Sequence, residues 1–127
     1  MTPAPPTPTR PRSPTRSKGD LAEERALAYL QNQGLRLIER NAASRLGEID
    51  LIMRDGEAIV FIEVRSRIRT DFGGAAASVN AGKQRRVRRE AQRWLKMHFG
   101  DRWPVCRFDV FAFEGREARI DWIRDAF

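Results

Sequence analysis

A chain of 127 residues carrying a net charge of +7 has room for one small domain with a workable core, and its charge calls for a polyanionic partner, nucleic acid or an anionic membrane surface. Its single cysteine (Cys106) and single histidine (His98) exclude an internal disulfide and a Cys/His zinc cage. No apolar stretch approaches the roughly 18 residues of a membrane-spanning helix, which argues against a membrane protein, and the lone cysteine fits a reducing cytoplasm as the expected setting.

Residues 1–17 hold six of the seven prolines, mixed with Thr, Ser and Arg and with no acid. Such a segment cannot bury apolar surface and is predicted to be disordered or polyproline-like, with no apolar h-region of a secretory signal. Residues 18–127 form the predicted domain. Leu21 to Gln33 places Ala22, Ala26, Leu27, Tyr29 and Leu30 at helical spacing, with Gly34 as the residue that closes the helix. Glu23 lies on the apolar side of that helix, an odd position for an acid facing solvent. Leu35 to Arg40 is predicted as the first strand.

Two further strands follow, Gly47-Glu48-Ile49-Asp50-Leu51-Ile52-Met53 and Ala58-Ile59-Val60-Phe61-Ile62-Glu63-Val64-Arg65. Asp55-Gly56 between them is a type I′ turn signal, which pairs Arg54 with Glu57, Asp50 with Phe61 and Glu48 with Glu63. Side chains alternate faces with period two, so Glu48, Asp50 and Glu63 are predicted on one face. Ile59 to Ile62 is a continuous apolar run, the mark of a strand covered on both sides. A carboxylate on such a strand must be paired or metal-bound. An ion pair of Glu63 with Arg65 or Arg67 would satisfy one acid; three converging acids favour metal binding.

Asp71 to Ala77 reads as a loop, and Ser78 or Asn80 as the cap of a helix running to about Phe99, with Val87, Ala91, Trp94, Leu95 and His98 as its apolar stripe. Lys83, Arg85, Arg86, Arg88, Arg89, Arg93 and Lys96 are opposed within it by Glu90 alone. An ordinary solvated face mixes signs, so this one is read as a phosphate-binding surface. His98 is expected at the core edge, and Trp94, Trp103 and Trp122 in the core. Arg107 to Phe113 and Ala118 to Ile123 form the last two strands around Gly115, with Asp109 a structural partner for a nearby arginine.

Glu23 on a helix, then Gly47-Glu48-Ile49-Asp50, then Glu63-Val64-Arg65, then a basic helix and strand, resembles the restriction-endonuclease-like superfamily, whose motif is an Asp on one strand and (Asp/Glu)-x-Lys on the next. More narrowly, Lys18 to Ile123 resembles the YraN family of small bacterial proteins, through the Asn41–Leu51 stretch, Val60-Phe61-Ile62-Glu63-Val64-Arg65-Ser66-Arg67, Gly73-Gly74-Ala75, Lys83 and Arg107-Phe108-Asp109-Val110. The resemblance implies an α/β fold: a three-layer core of order α-β-β-β-α-β plus a C-terminal strand, with a central mixed sheet, similar to Holliday-junction resolvases and tRNA endonuclease-like domains. It implies metal binding by Asp50 and Glu63, with Glu23 completing the shell, Val64 adding its carbonyl, and Glu48 as an accessory acid. Arg65 stands in the motif's lysine position, and Ala22 where similar sequences often carry glycine. Arginine stays protonated, so it can orient and neutralise charge but cannot accept a proton.

Two functions follow from these residues. One is a Mg²⁺- or Mn²⁺-dependent endonuclease, since oxygen ligands without His or Cys favour those ions. Its partner would be DNA rather than RNA, branched DNA included, held by Lys83, Arg85, Arg86, Arg89, Arg93 and Arg67. The other is a non-catalytic nucleic-acid-binding module on the same fold. A membrane-surface protein ranks below both, because the basic helix has no broad apolar face left over from the core. Resolvase-like relatives often need two active sites on one junction, which makes a homodimer an expected alternative to the monomer.

Overall fold

A computed structural model describes residues 18–68 and 74–127. The proline-rich tail and Asp71 to Gly73 of the loop lie outside those residues. The element order is α1 (Lys18–Asn32), β1 (Arg36–Ser44), β2 (Gly47–Asp55), β3 (Ala58–Arg67), a 3₁₀ turn (Ala75–Ser78), α2 (Ala81–Phe99), β4 (Cys106–Glu114) and β5 (Arg119–Ile123). The five strands form one mixed sheet in sequence order, antiparallel except for the parallel pair β3–β4 that α2 connects.

Alternation along β3 explains the layers. Val60 and Ile62 pack with Ala22, Ala26 and Leu30 of α1, whereas Ile59 and Phe61 pack with Val87, Ala91, Trp94 and Leu95 of α2. Helices therefore cover both faces, giving three layers, and all four residues from Ile59 to Ile62 are fully buried. α1 ends at Gly34 (φ 96°), with Leu35 N donating to Leu30 O at 3.1 Å. Asn80 is the cap of α2, its side chain accepting from Lys83 N at 3.0 Å. Ser78 instead closes the 3₁₀ turn, its hydroxyl donating to Ala75 O at 2.5 Å. Among the described residues no helix is long and apolar enough to cross a membrane.

The hairpin register differs from expectation. Asp55 pairs with Ala58, leaving Gly56-Glu57 as the loop, and Gly56 has φ 60° while Glu57 does not have positive φ. That is the type II′ arrangement, with glycine first. Asp55 stays in the strand because Arg107 Nη1 donates to its Oδ2 at 3.0 Å. Each partner shifts by two, so Phe61 opposes Ile52 rather than Asp50, and Arg54 opposes Ile59 rather than Glu57. An even shift leaves the faces unchanged. β1 starts and ends later than predicted, at Arg36 and Ser44, and α1 starts earlier, at Lys18.

Asp109 is wholly buried and wholly paired: it accepts from Arg107 Nε, Trp122 Nε1 and Asp125 N, each at 3.0 Å. A buried charge is tolerated when its lone pairs are filled in this way, and the bonds tie β4 to β5 and, through Arg107, to the β2–β3 turn. Trp94 is core and Trp122 half-buried, but Trp103 is 46% exposed. It lies past Gly100, which ends α2, and its indole N–H donates to Gly100 O at 2.7 Å. His98 is exposed and stacks on the Trp94 ring at 4.0 Å, at the rim of the core.

Candidate functional site

The backbone pairing of β2 with β3 runs only as far as Leu51↔Ile62. The next residue on each strand, moving away from the turn, is an acid: Asp50 and Glu63. β2 also breaks its alternation there, because Ile49 packs on the α2 side with Ile52 while Leu51 packs on the α1 side. In a regular strand Ile49 and Leu51 would share a face. The strands thus part around the two carboxylates, and a side-chain bond spans the opening: Val64 N donates to Asp50 Oδ2 at 2.8 Å.

Glu63 is 7% exposed, and its Oε1 is buried with no hydrogen-bond partner. Its Oε2 lies 3.8 Å from Arg65 Nη2, an ion pair too long for a hydrogen bond, and Arg65 Nε and Nη2 are themselves buried without hydrogen-bond partners. Burial first, and repulsion from Asp50 second, push the Glu63 carboxyl up to about 8, against the pull of Arg65, the Asp50 backbone amide and Lys83. Burial likewise raises Asp50; the Val64 amide and Arg65 oppose that rise, Glu48 adds to it, and Lys83 opposes it more weakly.

An unmet buried carboxylate oxygen beside a second carboxylate suits a hard cation. Mg²⁺ and Mn²⁺ accept one or two protein carboxylates and fill their remaining positions with water or substrate oxygens. Among the described residues no group of three His, Cys, Asp or Glu side chains is arranged to hold a metal. Of the other two acids, Glu23 is half-buried on α1, and Glu48 is exposed on β2 with its charge acting on Asp50. Val64 engages Asp50 through its amide. Arg67 pairs with buried Glu114 at 3.4 Å.

The N-terminal turn of α2 borders this site, since the charge of Lys83 acts on both carboxylates. Lys83, Arg85, Arg86 and Arg89 lie on the outer side of the helix, and all four are exposed. Arg93 is instead committed to Glu90, its Nε lying 3.0 Å from Oε2. Glu90, the helix's lone acid, is completely buried and also accepts from the Ser44 hydroxyl. Gly47 packs on the same helix so tightly that a Cβ there would lie 2.2 Å from Arg86 O. These contacts set α2 against the β1–β2 hairpin. Sequence reasoning passed over Ser44, Gly47 and Glu90, although a glycine opening a strand and one acid among seven cations were the available signals. A cavity of about 200 Å³ lies nearer α1, lined by Leu21, Ala22, Arg25, Ser66, Phe113 and Ala118 and by neither carboxylate.

Fold and site together define an α/β/α domain whose central strands part around a carboxylate pair, Glu63 buried and Asp50 half-buried, beside the start of a cationic helix. The chain belongs to the uncharacterised protein family UPF0102, whose model matches residues 22–113 and so spans the site from Glu23 through Lys83. It is 51% identical over 115 residues to a UPF0102 protein of Alkalilimnicola ehrlichii, covering 91% of this chain and 90% of that one. It is 50% identical over 125 residues to the UPF0102 protein YraN of Escherichia coli, with 94% of each chain covered. A UPF0102 protein of Cupriavidus metallidurans is 53% identical over 121 residues, 94% of this chain and 87% of the relative.

Proposed function

We propose that this protein is a nuclease that hydrolyses phosphodiester bonds of nucleic acid, DNA in preference to RNA, with Mg²⁺ or Mn²⁺. The observation that carries the reading is the Asp50–Glu63 pair, with the unmet Oε1 of Glu63, where β2 and β3 separate. Asp50 and Glu63 would hold the ion, which when bound supplies Lewis acidity toward a phosphate oxygen. The Val64 amide fixes the Asp50 carboxylate for that role. The Arg65 guanidinium neutralises charge on the phosphate. Lys83, Arg85, Arg86 and Arg89 seat the backbone of the substrate without reading its sequence.

The test is cleavage of labelled linear duplex, single strand, four-way junction and RNA by wild type, Asp50→Ala and Glu63→Ala. Cleavage is expected with wild type and Mn²⁺ above Mg²⁺, because Mn²⁺ binds such oxygen sites more tightly. Both variants should lose cleavage yet bind nucleic acid in EDTA as wild type does, which also separates the activity from a trace contaminant. If no substrate is cut, the protein is a non-catalytic nucleic-acid-binding module, the reading favoured by arginine in place of the motif lysine.

A further inference from the structure

The tip of the β1–β2 hairpin, Arg45-Leu46, departs from ordinary turn chemistry. Two-residue hairpin loops favour glycine, asparagine or aspartate at positive φ. Neither tip residue has positive φ, and Leu46 is 46% exposed. Support comes from the side instead. Leu46 N donates to Ser44 Oγ at 3.0 Å, and that hydroxyl in turn donates to buried Glu90. The next residue, Gly47, abuts the backbone of α2 at Arg86. Leu46 is therefore presented on a braced corner.

The surroundings of that corner are cationic. Arg45 precedes the leucine, Arg86 lies against Gly47, and exposed Arg89 follows on the helix. Glu90, which reaches the hairpin, is neutralised by Arg93, and Glu48 is the exposed acid nearby. One exposed leucine on a polar surface requires no explanation. A braced apolar tip flanked by guanidinium groups has the make-up of the wedges that proteins push between base pairs, with phosphates gripped on either side. β2 leads from Leu46 to Asp50 in four residues, a span of roughly 13 Å at the rise of a strand, or about four nucleotides along one strand of a duplex.

We propose that Leu46 is a wedge that inserts at a weakened base step a few nucleotides from the carboxylate pair, so that the substrate class is a duplex interrupted by a branch point. The location of the cut relative to the wedge rests on the nuclease reading; insertion itself does not. It is tested in EDTA with 2-aminopurine at the branch of a four-way junction and at the same position of a linear duplex. Wild type should raise the fluorescence of the junction and prefer it over the duplex by about tenfold, the effect of one good base contact. Leu46→Ala, with unchanged thermal stability, should lose the fluorescence rise and bring the preference near one. Leu46→Phe should retain both. A folded Leu46→Ala protein that still lights the junction, a folded Leu46→Phe protein that does not, or a wild type without junction preference overturns the proposal. Insertion without cleavage in Mn²⁺ would remove the nuclease and keep the wedge. Cleavage with Leu46→Ala matching wild type on every substrate would do the reverse.

Discussion

Val64 donates its amide proton to Asp50 Oδ2 at 2.8 Å, so the strand that carries Glu63 also fixes the carboxylate that repels it. The bond stands where regular pairing of β2 with β3 has stopped. It holds one acid by its oxygen while the other keeps a buried oxygen unmet. Without a cation between them, the pair retains a proton near neutrality. Cation binding would then release it.

That retained proton makes the metal-free protein pH-sensitive in a definite direction. Glu63 rises from 4.5 unfolded to about 8 folded, so the folded state binds the proton more tightly. The associated stability is full below about pH 4.5 and is lost as pH rises through about 8. In EDTA, thermal stability should fall between about pH 4.5 and 8, by an amount on the order of a few kcal/mol at most. Glu63→Gln should flatten the profile and be the more stable protein at the alkaline end. Parallel profiles for the two proteins would show that Glu63 does not hold the proton.

Gly47→Ala should destabilise the fold, although Gly→Ala at an unconstrained site with negative φ usually stabilises by about 0.4–1 kcal/mol. The added methyl meets the Arg86 carbonyl oxygen at 2.2 Å and carbon at 2.7 Å, and neither is a flexible side-chain end that can swing aside. Overpacking of this sort costs roughly 1–3 kcal/mol. A lower urea midpoint is expected. A midpoint equal to wild type would mean that α2 does not press on the hairpin.

Replacing Arg85, Arg86 and Arg89 together by Ala should weaken binding to all duplex sequences alike. It should also flatten the log–log salt dependence by as much as roughly 0.9 for each phosphate that is no longer neutralised. Arg93→Ala should behave differently, because its partner Glu90 is completely buried. Its main effect should be on stability, seen as a lower melting temperature. An unchanged salt slope in the triple variant would place the phosphate surface elsewhere.

Where one interaction dominates locally, the sequence was readable. The apolar run Ile59–Ile62 could only be a strand covered on both faces, and it is. Gly34 and Gly115 both take the positive φ expected of helix and turn ends. Asp109, an acid within an apolar strand, required an arginine, and Arg107 supplies it. The hairpin register was misread because turn preference alone cannot foresee that Arg107, 52 positions away, holds Asp55 in the strand. The burial of Glu90 was hidden for a similar reason. By composition it belongs to a charged face, and only the approach of Ser44 and Gly47 turns that position inward. The parting of β2 from β3 was likewise out of reach, since alternation assumes that the strand stays regular.

The loop-closing entropies of the two pairings around the site are unequal. A two-residue turn joins β2 to β3 and brings Asp50 toward Glu63, whereas pairing β3 with β4 closes a segment that contains the whole of α2. Closure cost grows with the logarithm of the loop length. The two acids are thus gathered by a local event, while the lysine that tempers them comes with a long crossover. A chain that kept the meander but loosened the crossover would leave the carboxylates without Lys83, and their shared proton would be held more tightly still.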